Sequence, residues 1–172
     1  MASISVPKGF RLTHVGLRVA DLDRSIAFYS GVFGMSELYR MPLDTVTVVF
    51  LAYADSAAPD TPLFAREGVL ELVCPKDQTK AAADCDTSFV KLAFGTPDLA
   101  KTVEHLNAHD VKIVKHSGTA HGSEVPARFL GCALPDSGLH RELWDAMVNV
   151  PFVEDPDGYL IEIIPYSNGR EE

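Results

Sequence analysis

Two stretches of the chain repeat the same order of apolar and polar residues. The apolar run LTHVGLRV, at 12–19, leads into DLDRSIAFY, and the run FVKLAFGT, at 89–96, leads into DLAKTVEHL. In both copies an aspartate precedes apolar residues spaced near i, i+3 and i+4, which is typical of an amphipathic helix with an aspartate N-cap. The repeat therefore predicts a strand followed by a helix twice, with helices at about 22–32 and 98–108.

Three further strands are predicted after each helix. SELYRM, TVTVVFLAY and GVLELVCP follow the first helix, whereas VKIVKH, NVPFVED and GYLIEIIPY follow the second. The last two are joined by the turn sequence Asp155-Pro156-Asp157-Gly158. We therefore expect the α+β fold class, with two βαβββ modules at 10–76 and 88–166 of one 172-residue domain and with strands curved around a ligand-binding cleft.

A long interruption at 117–148 separates the second and third strands of the second module. Glycine and proline recur in it before the short helical candidate HRELWDAMV. A connection of this length is typical of a lid or binding loop, although a disordered surface excursion has the same composition. In the first case Trp144 and Met147 would give the ligand an apolar wall, and otherwise Trp144 would pack in the core.

Four charged or titratable residues interrupt apolar strands. Burying an unpaired charge is expensive, so His14, Glu71, Lys91 and Glu162 require an explanation. A half-exposed strand accounts for each one singly. The repeat, however, matches His14 with Lys91 and Glu71 with Glu162, which favours convergence of all four in one cleft. Two carboxylates and an imidazole suit a divalent cation or acid-base catalysis.

The amino-acid composition excludes some classes of binding partner for this protein. A 47% hydrophobic content and a net charge of -9 predict a folded acidic protein without the Lys/Arg stripe that nucleic acid requires. No apolar stretch approaches a membrane span and no leader-like segment is evident, so we expect a cytoplasmic protein that does not enter a membrane. Cys74, Cys85 and Cys132 lack metal-binding spacing and are expected to be buried or idle thiols.

Five segments, taken in order, resemble the glyoxalase I-like branch of the vicinal oxygen chelate superfamily. They are HVGLRVADLDRSIAFYSGVFGM, FLAYAD, VLELV, TPDL and FVEDPDGYLIEII. The resemblance implies the two-module glyoxalase/bleomycin resistance/dihydroxybiphenyl dioxygenase-like fold, a pocket formed by eight strands, a small-molecule substrate and a homodimer. It also places the family's metal ligands on His14, Glu71, Lys91 and Glu162, and keeps Arg18 as a substrate-binding residue.

Lys91 departs from the family pattern, which has histidine there. A lysine amine binds metal only when neutral, and removing its proton at pH 7 costs roughly 4 to 5 kcal/mol. Three possibilities follow. His14, Glu71 and Glu162 hold one divalent cation (Zn, Ni, Co, Fe or Mn) with Lys91 displaced; the Lys91 ammonium takes the place of the metal, so that no metal is bound; or Lys91 is a catalytic base or Schiff-base amine.

The glutathione-binding positions of the family are also altered, with Pro75 in place of asparagine and Thr87 in place of arginine. The leading hypothesis is therefore a lyase or isomerase of secondary or detoxifying metabolism that transfers protons on a small carbonyl compound without standard glutathione dependence. Glu162 would be the general base, with Glu71, Lys91 and His14 as further proton carriers or electrostatic partners. The alternatives are a metal-dependent lactoylglutathione lyase and a non-catalytic binding or resistance protein.

Overall fold

The computed structural model describes residues 12–76, 89–118, 125 and 148–165, and the chain divides into two compact units, 1–81 and 82–172. Within the described residues each unit has one strand, one α-helix and three further strands in that order. The α+β fold class with two βαβββ modules is thereby confirmed. The predicted module limits stay a prediction.

The first unit forms a four-stranded sheet in the order β1-β4-β3-β2. Strand β1 is parallel to β4, and the other two pairings are antiparallel. A 3-10 turn at Leu63–Ala65 precedes β4. The helix and strands are β1 His14–Arg18, α1 Leu22–Phe33, β2 Ser36–Pro42, β3 Val46–Ala52 and β4 Val69–Pro75.

The second unit repeats this topology in the order β5-β8-β7-β6. Its first strand is again parallel to its last, and the remaining pairs are antiparallel. Its elements are β5 Leu92–Thr96, α2 Leu99–Ala108, β6 Ile113–Lys115, β7 Phe152–Glu154 and β8 Leu160–Pro165. In each unit the last strand therefore lies between the first and the third.

Aspartate caps begin both helices, as predicted. The side chain of Asp21 accepts a hydrogen bond from the Arg24 backbone N–H, and Asp98 accepts one from Lys101. Gly34 ends α1 in the left-handed region at φ 71, which glycine adopts without a Cβ penalty. The Lys101 hydrogen bonds hold the pKa of Asp98 below its ordinary value, so this cap loses its stabilising effect as the pH falls through that lowered pKa.

One face of the first sheet builds the core beneath α1. Tyr29 of α1 is fully buried, as are Val49 and Leu72, which are paired in the β3–β4 register. Successive side chains of a strand point to opposite faces, so Glu71, the neighbour of Leu72, lies on the other face. Cys74 is a buried free thiol, as expected of it.

A buried carboxylate organises the predicted turn between β7 and β8. Asp155 Oδ1 accepts hydrogen bonds from the backbone N–H groups of Asp157 and Tyr159, at 2.9 and 2.8 Å. Gly158 follows at φ 85, where glycine is unstrained. The turn fixes the register of β8, the strand that carries Glu162.

Both ends of the predicted loop at 117–148 are joined, because the Gly118 backbone N–H donates to the Val148 carbonyl oxygen at 2.7 Å. Residues 119–124 and 126–147 lie outside the described residues, and with them the predicted roles of Trp144 and Met147. Cys85, Thr87 and Cys132 also lie outside them. None of the described helices has the length and apolar character needed to cross a membrane.

Replacing the α1 cap tests how the first unit is stabilised. We expect Asp21→Ala to lower the free energy of unfolding by about 1 kcal/mol, because the first-turn N–H groups lose their acceptor. Asp21→Asn keeps an acceptor oxygen and is the matched control, with an expected loss of only a few tenths of a kcal/mol. Urea unfolding followed by circular dichroism measures both, and equal losses would contradict the capping role.

Candidate active site

Both glutamates lie on central strands with the same kinds of neighbour. Glu71 on β4 is paired with Gly16 of β1 and with Phe50 of β3. Glu162 on β8 is paired with Ala93 of β5 and Phe152 of β7. A small residue, a glutamate and a phenylalanine therefore form the same row across three strands of each unit.

In the first unit His14, two residues before Gly16 on β1, lies beside this row. Its Nε2 lies 3.7 Å from Glu71 Oε2, within ion-pair range but beyond hydrogen-bond distance. Its Nδ1 is 2.8 Å from Thr13 Oγ1. The histidine ring also meets Phe50 edge-on at 6.1 Å between centroids and Phe64 at 5.9 Å. The imidazole is thus held on two sides, with Nε2 directed toward the carboxylate.

Gly16 gives the Glu71 carboxylate the space it occupies. A Cβ placed on Gly16 would lie 3.1 Å from Glu71 Oε2, which is tighter than an ordinary van der Waals contact. The corresponding residue of the second unit, Ala93, carries a methyl group. The two glutamates therefore have different room beside them, although their registers agree.

In the second unit Lys91 takes the place of His14. The prediction that Lys91 lies inside the strand is wrong by one residue, because the ladder with β8 begins at the Leu92–Ile161 pair. Lys91 Nζ donates a hydrogen bond to Glu162 Oε2. Its ammonium also lies 5.7 Å from the centroid of the Phe152 ring, within the range of a cation–π contact.

Burial of the lysine distinguishes this ion pair from the Lys112–Glu154 pair. The Lys91 and Glu162 side chains are 25% and 12% exposed, whereas Lys112 and Glu154 are 72% and 13% exposed, so the two pairs differ in the burial of the lysine. Partial burial removes competing water, and Coulomb attraction is stronger at the lower effective dielectric. The Lys91–Glu162 contact is therefore the more strongly held of the two.

A second lysine of this unit is almost fully buried. Lys115 is paired with Phe152 in the β6–β7 register, and its Nζ donates to the Val150 carbonyl oxygen at 2.7 Å. Burial lowers the pKa of Lys115. Its protonated form therefore opposes folding, and stability is expected to rise as the pH increases from this lowered pKa toward the ordinary lysine value.

The predicted site residues are thus brought together as two pairs, His14 with Glu71 and Lys91 with Glu162. Convergence of the two pairs in one cleft stays a prediction. Arg18 is exposed and lies opposite Val73 in the β1–β4 register. Sequence reasoning missed the flanking aromatics Phe50 and Phe152, although a phenylalanine in the third strand of each module was a signal that the repeat offered.

Comparison with known proteins agrees with this architecture. The family model described as the Glyoxalase/Bleomycin resistance protein/Dioxygenase superfamily matches residues 11–124. The chain belongs to this superfamily. Within it, the chain is 29% identical to a probable lactoylglutathione lyase of Vibrio parahaemolyticus, over 90% of this chain and 89% of that protein.

Two further similarities lie in the same branch of the superfamily. The lactoylglutathione lyase GLX1 of Arabidopsis thaliana is 31% identical over 90% of this chain, which matches 44% of that longer protein. The trypanothione-dependent glyoxalase I of Leishmania major superposes with a TM-score of 0.59 at 28% identity, covering 91% of this chain and 87% of that one. The predicted resemblance to glyoxalase I-like proteins is confirmed.

The resemblance also implies a divalent metal, and the donors present do not fit one. An ammonium has no lone pair to offer, and Lys91 directs its N–H toward the carboxylate that would be a ligand. Across residues 12–76, 89–118 and 148–165, no three His, Cys, Asp or Glu side chains are grouped so as to hold a metal ion. The remaining pair, His14 and Glu71, supplies only one nitrogen and one carboxylate.

A double-mutant cycle measures the strength of the Lys91–Glu162 pair. We expect Lys91→Met and Glu162→Gln, alone and combined, to give a coupling energy of roughly 0.5 to 3 kcal/mol in urea unfolding. The control cycle, Lys112→Met with Glu154→Gln, removes a pair with an exposed lysine and should give about 0.2 to 1 kcal/mol. A smaller coupling at Lys91–Glu162 than in the control would contradict its partly buried, well-held geometry.

Proposed function

We propose that the chain is a lyase of the glyoxalase I type, which moves a proton between adjacent carbons of a small carbonyl-derived substrate. The observation that carries the proposal is the repeated arrangement in which each unit sets a nitrogen-bearing side chain against a glutamate. In both units that side chain lies two residues before the residue paired with the glutamate. The relatives named as lactoylglutathione lyases support the reaction class. From the resemblance we also propose that two copies of the chain associate.

The first reaction to test is that of lactoylglutathione lyase, on the hemithioacetal of methylglyoxal and glutathione. The relatives favour this reaction over the glutathione-independent one expected first from the sequence. A base removes the proton from the carbon bonded to sulfur, and a proton returns to the neighbouring carbon to give a thioester. No oxidant is required, because the substrate and the product are isomers.

Glu162 is the proposed general base, and Lys91 holds its carboxylate in place through the hydrogen bond. Glu71 and His14 are proposed to move the hydroxyl proton from the oxygen of the first carbon to the oxygen of the second, since Nε2 of the imidazole is directed toward that carboxylate. Arg18 is exposed on β1 and is proposed to orient an anionic part of the ligand. These roles require both pairs to face the same substrate.

A glutathione-independent carbonyl substrate is the second candidate. Pro75 at the end of β4 has no side-chain donor, although the resembling enzymes have asparagine there to bind the tripeptide. Turnover of the glutathione hemithioacetal should be compared with that of the hemithioacetal of 2-mercaptoethanol, which lacks the peptide. Equal kcat/KM values would favour the second candidate, and a large preference for glutathione the first.

A charge-removing substitution tests the proposed base. We expect Glu162→Gln to lower kcat by roughly 10²- to 10⁴-fold, because the amide cannot accept the substrate proton. Glu154→Gln, on the neighbouring strand, is the matched control and should leave kcat unchanged. Thioester formation followed by absorbance measures both, and near-normal turnover by Glu162→Gln would rule out its role. Unchanged ligand binding together with no turnover by any variant would instead indicate a non-catalytic binding protein.

Filling the space beside Glu71 tests the first pair without removing a functional group. We expect Gly16→Ala to lower kcat/KM several-fold while stability is kept, because the new methyl group must displace Glu71 Oε2 from a 3.1 Å approach. Gly31→Ala is the control, since a Cβ there meets nothing within 4 Å. Steady-state kinetics and thermal unfolding distinguish the two. Unchanged kinetics in Gly16→Ala would show that the Glu71 position is not critical.

A further inference from the structure

Lys91 stands where resembling enzymes have a metal-binding histidine, and it is tied to the neighbouring glutamate. We propose that the Lys91 ammonium is the fixed cation of this active site and that the chain catalyses its proton transfer without a divalent metal. This inference rests on the proposed function and specifies how that function stabilises negative charge.

The contacts of Lys91 hold a charged amine in place. Its Nζ donates to Glu162 Oε2 and lies 5.7 Å from the Phe152 ring centroid, on the side of the sheet that carries the glutamate. Both contacts are attractive for an ammonium group, because a carboxylate and an aromatic face attract a cation. A divalent ion bound to Glu162 would therefore lie next to a like charge, and the repulsion would weaken its binding.

Comparison of the two units shows that the second one differs. At the equivalent position, two residues before the partner of the glutamate, the first unit has His14, whose Nε2 lies 3.7 Å from Glu71 Oε2 and is not hydrogen-bonded to it. His14 and Glu71 therefore keep the character of metal ligands. Lys91 and Glu162 instead form a hydrogen-bonded ion pair whose two charges cancel. The substitution has replaced a ligand by a charge within an otherwise repeated row.

An ammonium can do part of the work of a metal ion in this reaction. Removing the carbon proton to Glu162 leaves negative charge on the adjacent substrate oxygen, which a positioned cation stabilises. The ammonium carries three N–H donors, so one group can hold a carboxylate and a substrate oxygen together. The proton on Glu162 then returns to the neighbouring carbon, and the pair is restored.

Metal binding and metal dependence are the decisive measurements. We expect the wild-type protein to keep its turnover after exhaustive chelation and to show no saturable binding of Ni²⁺ or Zn²⁺ in isothermal titration calorimetry. We expect Lys91→His to gain one saturable Ni²⁺ or Zn²⁺ site per chain, because the proposed function brings this imidazole and Glu162 to the same substrate as His14 and Glu71, which completes a four-ligand set. Lys112→His places the same side chain beside Glu154, which is nearly as buried as Glu162 but is not one of the predicted ligands, and should gain no such site.

Two results of the metal measurements would overturn the inference. One is a wild-type protein that loses turnover on chelation and regains it with one metal ion per chain. The other is a folded Lys91→His protein without a metal site, since Lys91 would then not occupy a ligand position. Circular dichroism confirms folding, and if Lys91→His does not fold, the chelation and titration of the wild type decide alone.

Failure of the proposed function gives a different result. If neither hemithioacetal is turned over by the wild type, with or without added metal, the reaction class is wrong, whereas the calorimetric comparison still tests the position of Lys91. We expect Lys91→Met to lose at least 100-fold in kcat and not to be rescued by metal, and Lys91→Arg to retain more activity than Lys91→Met. Equal activity of wild type and Lys91→Met would overturn the cation role.

Discussion

The parallel pairing of the first strand of each unit with its last strand is the constraint on which the candidate site depends. It places the last strand of each unit between two others. The glutamate on that strand is then paired with the residue two positions after His14 in the first unit, and with the residue two positions after Lys91 in the second. Because side chains alternate across a strand, a shift of one residue would turn each glutamate toward the helix. Both catalytic proposals therefore follow from hydrogen bonds between main-chain atoms far apart in the sequence.

The same register supports two different chemistries. In the first unit an imidazole and a carboxylate approach without bonding, over a glycine that leaves the carboxylate room. In the second unit an ammonium and a carboxylate neutralise each other beside an aromatic ring. The two units have the same backbone arrangement of strands. The side chains at the equivalent positions determine whether a unit binds an ion, transfers a proton or supplies a charge.

The sequence predicted most of the fold because the repeat is carried by local signals. The aspartate caps, Gly34 and the Asp155 turn all depend on residues close together in the chain, so they can be recognised from the sequence alone. The site was predicted only in part. Pairing between strands distant in the sequence determines which atoms of Lys91 and Glu162 meet. It also determines how the flanking Phe50 and Phe152 rings contact their neighbours. No periodicity within a single strand records those contacts.

Lys91 lies just outside the hydrogen-bonded ladder that begins at Leu92. Exchange of the side chain at this position therefore leaves the sheet's main-chain bonding untouched, while the identity of the site's positive charge changes completely. A scaffold with such a position can change its chemistry by point mutation while the hydrogen bonds of the sheet are kept, which offers a physical basis for the diversity of activities carried by one architecture.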